Sequence, residues 1–180
     1  YAFDSLTRQQ IEAGPASMWR YEALLPVVPG AHARPGLNPG LTRLVRADNL
    51  AAALGARTVW VKDDSGNPTH SFKDRVVAVA LENARRLGYQ TISCASTGNL
   101  ANAVAAAASR AGLASVVFVP SNLEAGKIVT TAVYGGTLVA IEGTYDDVNR
   151  LCTEVAACRD WGFVNVNLRP YYAEIGRAHV

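Results

Sequence analysis

The stretch Asn67-Pro68-Thr69-His70-Ser71-Phe72-Lys73-Asp74-Arg75 brings one lysine to the point where a loop gives way to the apolar run Val76 to Leu81. Ser65-Gly66 and Pro68 break the chain ahead of it, and Ser71 is a suitable N-cap. The pattern therefore predicts a helix over Phe72–Leu87, stopped by Gly88, with Lys73 in its first turn. Free backbone N–H groups and the positive end of the helix dipole favour an anion at such a position. An amine presented there suits covalent Schiff-base chemistry with an anionic carbonyl compound. A lysine at a helix start is far more often a solvated charge, so this assignment needs a second motif.

Ser96-Thr97-Gly98-Asn99 is that second motif. It follows a predicted buried strand, Thr91–Ala95, and opens a predicted helix over Gly98–Ala111. Hydroxyls, a glycine and an amide at a helix start can bind a carboxylate or a cofactor oxygen through side chains and backbone N–H groups together. A plain N-cap is the competing explanation. Asp63 and Asp64 have the look of a paired acid and base, but are read as strand-end carboxylates that cap the loop or pair with Arg75. Lys127 is read as a solvated helix residue.

These motifs need elements that hold them in place. Through Pro39 the chain is proline-rich, with one short helix expected near Met18–Leu25 and the character of an arm packed on a larger body. A helix over Asp48–Leu54 and a strand over Thr58–Val61 come next. Strands then alternate with helices: strands Thr91–Ala95, Ser115–Val119, Thr137–Ile141 and Phe163–Val166, with helices Leu123–Tyr134 and Tyr145–Trp161 between the later ones. Short apolar strands joined by helical crossovers predict an α/β fold, a parallel sheet with helices on both faces. Ligands of such sheets bind beyond the carboxyl ends of the strands, where both motifs fall.

Composition narrows the function classes. The 180 residues are 49 % hydrophobic and 18 % charged, an ordinary globular balance. A net charge of +2, scattered along the chain, argues against a nucleic-acid partner. No segment carries the long apolar run of a membrane span. Cys94, Cys152 and Cys158 show no ligand spacing and read as reduced thiols of a cytoplasmic protein. No metal is expected at His32 or His70, because nothing supplies the remaining ligands.

Taken in order, the two motifs, with support from Asp146-Asp147-Val148-Asn149 and Asn165-Val166-Asn167, resemble the pyridoxal-phosphate enzymes of the tryptophan synthase β structural family. Similarity is greatest to the members that convert O-phospho-L-homoserine and water to threonine and phosphate. Serine/threonine dehydratases and related β-replacement enzymes are the alternatives within the family, and a catalytically inactive fragment is the alternative outside it. The resemblance implies a two-lobed fold-type II lyase with pyridoxal 5'-phosphate held covalently by Lys73. Asn99 would bond the cofactor's phenolic oxygen, and Ser96 and Thr97 the substrate carboxylate. Asn165, Asn167 and Arg169 are the candidates for the substrate's phosphate, Arg169 because a planar guanidinium matches phosphate geometry. The partner expected is a small phosphorylated amino acid, with a possible second copy of the full-length chain. Residues 1–90 would be the arm and part of the large lobe, and residues 91–173 the small lobe. Family members are about twice this length or more, so the chain is expected to be an N-terminal piece lacking the glycine-rich loop that holds the cofactor phosphate. Residues 174–180 are expected to be a non-native tail, since Ile175-Gly176-Arg177-Ala178-His179-Val180 resembles translated adaptor sequence.

Overall fold

The computed structural model describes residues 6–28 and 36–177, with side chains through Ala173. His32 and the end of the expected tail, residues 178–180, lie outside the described residues. An arm of α1 (Arg8–Ala13) and a 3-10 helix (Met18–Leu24) leads to an antiparallel ribbon of β1 (Arg43–Arg46) and β2 (Trp60–Asp63). Helix α2 (Asp48–Ala53) connects the two strands. The ribbon contains the strand expected over Thr58–Val61. It starts two residues later and pairs Val45 with Val61 in a separate sheet. Its apolar residues did not signal burial, since Leu44 and Trp60 are 59 % and 54 % exposed.

From α3 (Lys73–Arg86) onward the alternation follows expectation: β3 (Thr91–Ala95), α4 (Asn99–Ala111), β4 (Ala114–Pro120), α5 (Ala125–Ala132), β5 (Thr137–Ile141), α6 (Tyr145–Cys158), β6 (Gly162–Phe163) and α7 (Arg169–Arg177). Strands β3 to β6 form one parallel sheet in the order β5-β4-β3-β6. Left-handed glycines stop two of the helices, Gly88 with φ +86° and Gly112 with φ +71°. Side chains alternate across the sheet as the pleat requires. Ile92, Cys94, Val117 and Val119 pack with Val76, Val77, Val79 and Val104 from α3 and α4 on one face. Ala95, Phe118 and Phe163 pack with Val148 and Cys152 of α6 on the other.

The last strand is shorter than the expected Phe163–Val166. Asn167 Oδ1 accepts the Phe163 N–H at 2.7 Å, and Val166 N–H turns back to the Phe163 carbonyl at 3.1 Å, so the chain leaves the sheet there. Helix α7 was not expected from the sequence. Pro170 falls in its first turn, where a missing N–H costs no intrahelical bond.

Candidate active site

Topology first locates the site. The chain steps outward from β3 through β4 to β5, and α6 then returns it to β6 on the far side of β3. The order therefore switches at the carboxyl ends of β3 and β6, where α/β sheets open a crevice for ligands. Helix α4 starts at that edge. So does α3, because its 14 residues rise about 20 Å and its far end feeds the amino end of β3. Lys73 and the Ser96–Asn99 turn thus share one edge, on helices that pack together.

The loop before α3 is tied to the helix it introduces. Thr69 donates its backbone N–H and its hydroxyl to the two carboxylate oxygens of Asp74, at 2.7 and 2.6 Å. Asp74 is only 2 % exposed, and burial raises its pKa against the opposing pull of the Thr69 bonds. Asn67 Oδ1 accepts the Gly40 N–H at 3.0 Å, while His70 takes the left-handed φ of +60° with Nδ1 2.9 Å from the Ser65 carbonyl oxygen. Asp64 pairs with Arg75 at 2.5 Å, and Asp63 accepts the Ser65 N–H at 3.2 Å, so these carboxylates hold the loop as the sequence suggested. Hydrogen bonds from the Ser65 hydroxyl and N–H lower the Asp63 pKa.

The helix cap differs from expectation by one residue. Phe72 is the N-cap, and its backbone is already helical. The buried Ser71 still accepts the Lys73 N–H on its hydroxyl at 3.2 Å. Lys73 is half-buried, and its Nζ donates to the Tyr172 hydroxyl at 2.5 Å. The amine lies 4.8 Å from the Phe72 ring centroid, within cation–π range, and meets Tyr172 at its hydroxyl edge.

At the second motif, Ser96 is buried. Its N–H donates to the Phe118 carbonyl at 3.3 Å and its hydroxyl accepts the Gly98 N–H at 3.4 Å. Thr97 is half-buried. Gly98 is the N-cap of α4, without a side-chain cap bond, and a Cβ placed on it would meet nothing within 4 Å. Asn99 is the first helical residue and is exposed, so it does not cap the helix. The first N–H groups of a helix have no partner within it, and here Gly98 and Asn99 at its start are exposed.

The candidates after β6 separate. Asn165 stays at the carboxyl edge: its Oδ1 accepts the Ala95 N–H at 3.3 Å and its Nδ2 donates to Asn149 Oδ1 at 3.2 Å. Asn167 is not brought there. It sits at the amino edge, where Nδ2 donates to the Trp161 carbonyl at 2.9 Å and to the Tyr89 hydroxyl at 3.4 Å, both just ahead of strands. That turn occupies its amide hydrogens and places it apart from Asn165. Arg169 is exposed at the start of α7, three residues before Tyr172 and so on the same side of the helix. Lys127 lies 3.6 Å from Glu124 on the surface.

Sequence reasoning passed over two tyrosines. Tyr172 reaches Lys73 across 99 positions of chain, which no local pattern reveals. Tyr145, at the start of α6, donates its hydroxyl to the Ala95 carbonyl at 3.0 Å, and burial raises its pKa. Its place just after a strand-to-helix turn was the available signal.

A doubly wound lobe with a lysine at one helix start and an open, amide-bearing helix start beside it has the layout of an enzyme that holds a carbonyl cofactor through an amine. Residues 37–178 match the family described as pyridoxal-phosphate dependent enzyme, and the chain belongs to it. It is 34 % identical over 159 residues to a threonine synthase of Methanosarcina acetivorans, covering 86 % of this chain and 38 % of that protein. Over 154 residues it is 33 % identical to the threonine synthase of Methanocaldococcus jannaschii, covering 85 % and 38 %. The apo crystal structure of Escherichia coli diaminopropionate ammonia lyase shares the fold, with a TM-score of 0.63 and 24 % identity over 79 % of this chain and 45 % of that one. The chain thus spans 38 % of the length of the curated relatives it matches first.

The residues present fit pyridoxal phosphate: a primary amine, a carboxamide not used as a cap, and a helix start with open space before it. Among the described residues no group of side chains could hold a metal ion, and no helix is long and apolar enough to cross a membrane.

Proposed function

We propose that this chain is the lysine-bearing part of a threonine synthase, which converts O-phospho-L-homoserine and water to L-threonine and phosphate. The observation that carries the reading is the placement of Lys73 Nζ at the carboxyl edge, on α3 packed beside the open start of α4. The named relatives support the choice of reaction. Pyridoxal phosphate, when bound, supplies an electron sink for the substrate carbons. Lys73 would hold it through the amine, and the same amine, when free, would move protons at the substrate's Cα and Cβ. The Asn99 carboxamide would help hold the cofactor as a donor to its phenolic oxygen. Neutral donors at Ser96 and Thr97 hold the substrate carboxylate without neutralising the lysine. Arg169, aided by Asn165, takes the phosphate that leaves.

In this reading residues 1–90 contribute to a large lobe and residues 91–173 form a small one, with the β1–β2 ribbon apart from the parallel sheet and α3 packed against that sheet. The free thiols Cys94, Cys152 and Cys158 support a cytoplasmic setting. Borohydride reduction of the cofactor-loaded full-length protein, followed by peptide mapping, should place the pyridoxyl group on Lys73. Label on Lys62 or Lys127 would overturn the assignment, and a substrate screen separates a synthase from a dehydratase.

A further inference from the structure

We propose that Tyr172 is the positioning residue of Lys73, its phenolic oxygen holding the free amine at the carboxyl edge until the cofactor engages it. The inference rests on the reading of Lys73 as the cofactor lysine. A lysine side chain has four rotatable bonds and, left alone, samples many directions. Here Nζ is held by one hydrogen bond of 2.5 Å to the Tyr172 hydroxyl, with the Phe72 ring centroid 4.8 Å away.

The chemistry of that acceptor matters. Ionisable groups on the same elements have other partners: both Asp74 oxygens accept from Thr69, Arg75 pairs with Asp64, and the Tyr145 hydroxyl donates to Ala95. Lys73 thus meets a neutral phenol where a carboxylate would be the commoner partner. A carboxylate would lock the amine as an ammonium ion, which cannot attack a carbonyl. A single neutral acceptor holds direction and releases the nitrogen at small cost.

Helix α7 is docked firmly enough to serve this purpose. Leu168, just ahead of it, is fully buried, and the Tyr171 hydroxyl accepts a hydrogen bond from Arg86 Nη2 at 3.2 Å at the far end of α3. Tyr171 and Tyr172 therefore grip α3 near both ends, and the second grip falls on Lys73.

The test uses the cofactor-free full-length protein and the amine reagent trinitrobenzenesulfonate at neutral pH, with labelling at Lys73, Lys62 and Lys127 followed by peptide mapping. Tyr172→Phe keeps the ring and removes the oxygen. Lys73 should then label about threefold to tenfold faster near neutral pH, because the hydrogen bond that held its nitrogen is gone. Lys62 and Lys127 report any general loosening, so acceleration confined to Lys73 supports the proposal. An unchanged Lys73 rate, or equal acceleration at all three lysines, overturns it. Tyr172→Ala, which also removes the ring, should accelerate Lys73 at least as much, and slower labelling there would count against the proposal. Borohydride mapping of the loaded protein stands apart: label on another lysine defeats the proposed function, whatever the trinitrobenzenesulfonate result.

Discussion

Replacing Thr69 by valine isolates the tie between the loop and α3. Valine nearly matches threonine in shape, keeps the backbone N–H bond to Asp74 at 2.7 Å and removes the hydroxyl bond at 2.6 Å. A hydrogen bond to a charged group is worth about 1.5–3 kcal/mol, and Asp74 is too buried for water to replace it. At neutral pH Thr69→Val should therefore destabilise the protein by about 1.5–3 kcal/mol. The pH dependence follows from burial, which raises the folded Asp74 pKa above its ordinary 3.8. A raised carboxyl pKa means the folded state binds the proton more tightly. The resulting stabilisation is complete below the unfolded value and is lost as pH rises through the folded one. Without the hydroxyl, the folded pKa climbs further, so the variant's deficit grows toward neutral pH. Below the unfolded value both carboxyls are protonated, and the deficit should shrink to that of a neutral bond, about 1 kcal/mol or less. Urea unfolding at neutral pH and near pH 3.5 would measure both, with cofactor titration as a second readout, since a slack loop should hold Lys73 less well. A deficit equal at both pH values, or below about 0.5 kcal/mol at neutral pH, would refute the assignment of Asp74 as a buried charge held by Thr69.

Asn99→Ala should change the absorbance of the bound cofactor and lower turnover, while the melting temperature holds or rises slightly, because the asparagine caps nothing and alanine is the better helix former. A drop in melting temperature with spectrum and rate untouched would return Asn99 to a purely structural role. Arg169→Gln should cut turnover of O-phosphohomoserine by orders of magnitude with cofactor binding intact, since losing a charge-assisted pair costs about 2–5 kcal/mol. Unchanged turnover would remove Arg169 from the site and weaken the case for a synthase over a dehydratase.

Much of this was legible in the chain itself because it is written in local signals. The apolar run after Lys73, the glycine stops at Gly88 and Gly112, and the buried strand Thr91–Ala95 all act within a few residues, and β3 and β5 fall on the residues expected for them. Lys73 and the Ser96–Asn99 turn were found for the same reason: a strand-to-helix turn announces itself by its own composition. Asp63 and Asp64 were legible too, since Ser65 is adjacent to one and Arg75 lies within a short loop of the other.

Tertiary structure decided what distance in the sequence concealed. The pattern of Asn165-Val166-Asn167 treats its two asparagines alike. Folding sends one to the Ala95 N–H at the carboxyl edge and the other to Trp161 and Tyr89 at the amino edge, because the turn after Phe163 reverses the chain. The exposed β1–β2 ribbon has a strand's composition without a place in the parallel sheet, since apolar alternation specifies a strand but not its partner. The contact between Tyr172 and Lys73 is the clearest case. Nothing near Tyr172 in the chain marks it, and only the packing of α7 on α3 brings its hydroxyl to the amine, because hydrogen bonds act over a few ångströms whatever the number of residues between the partners.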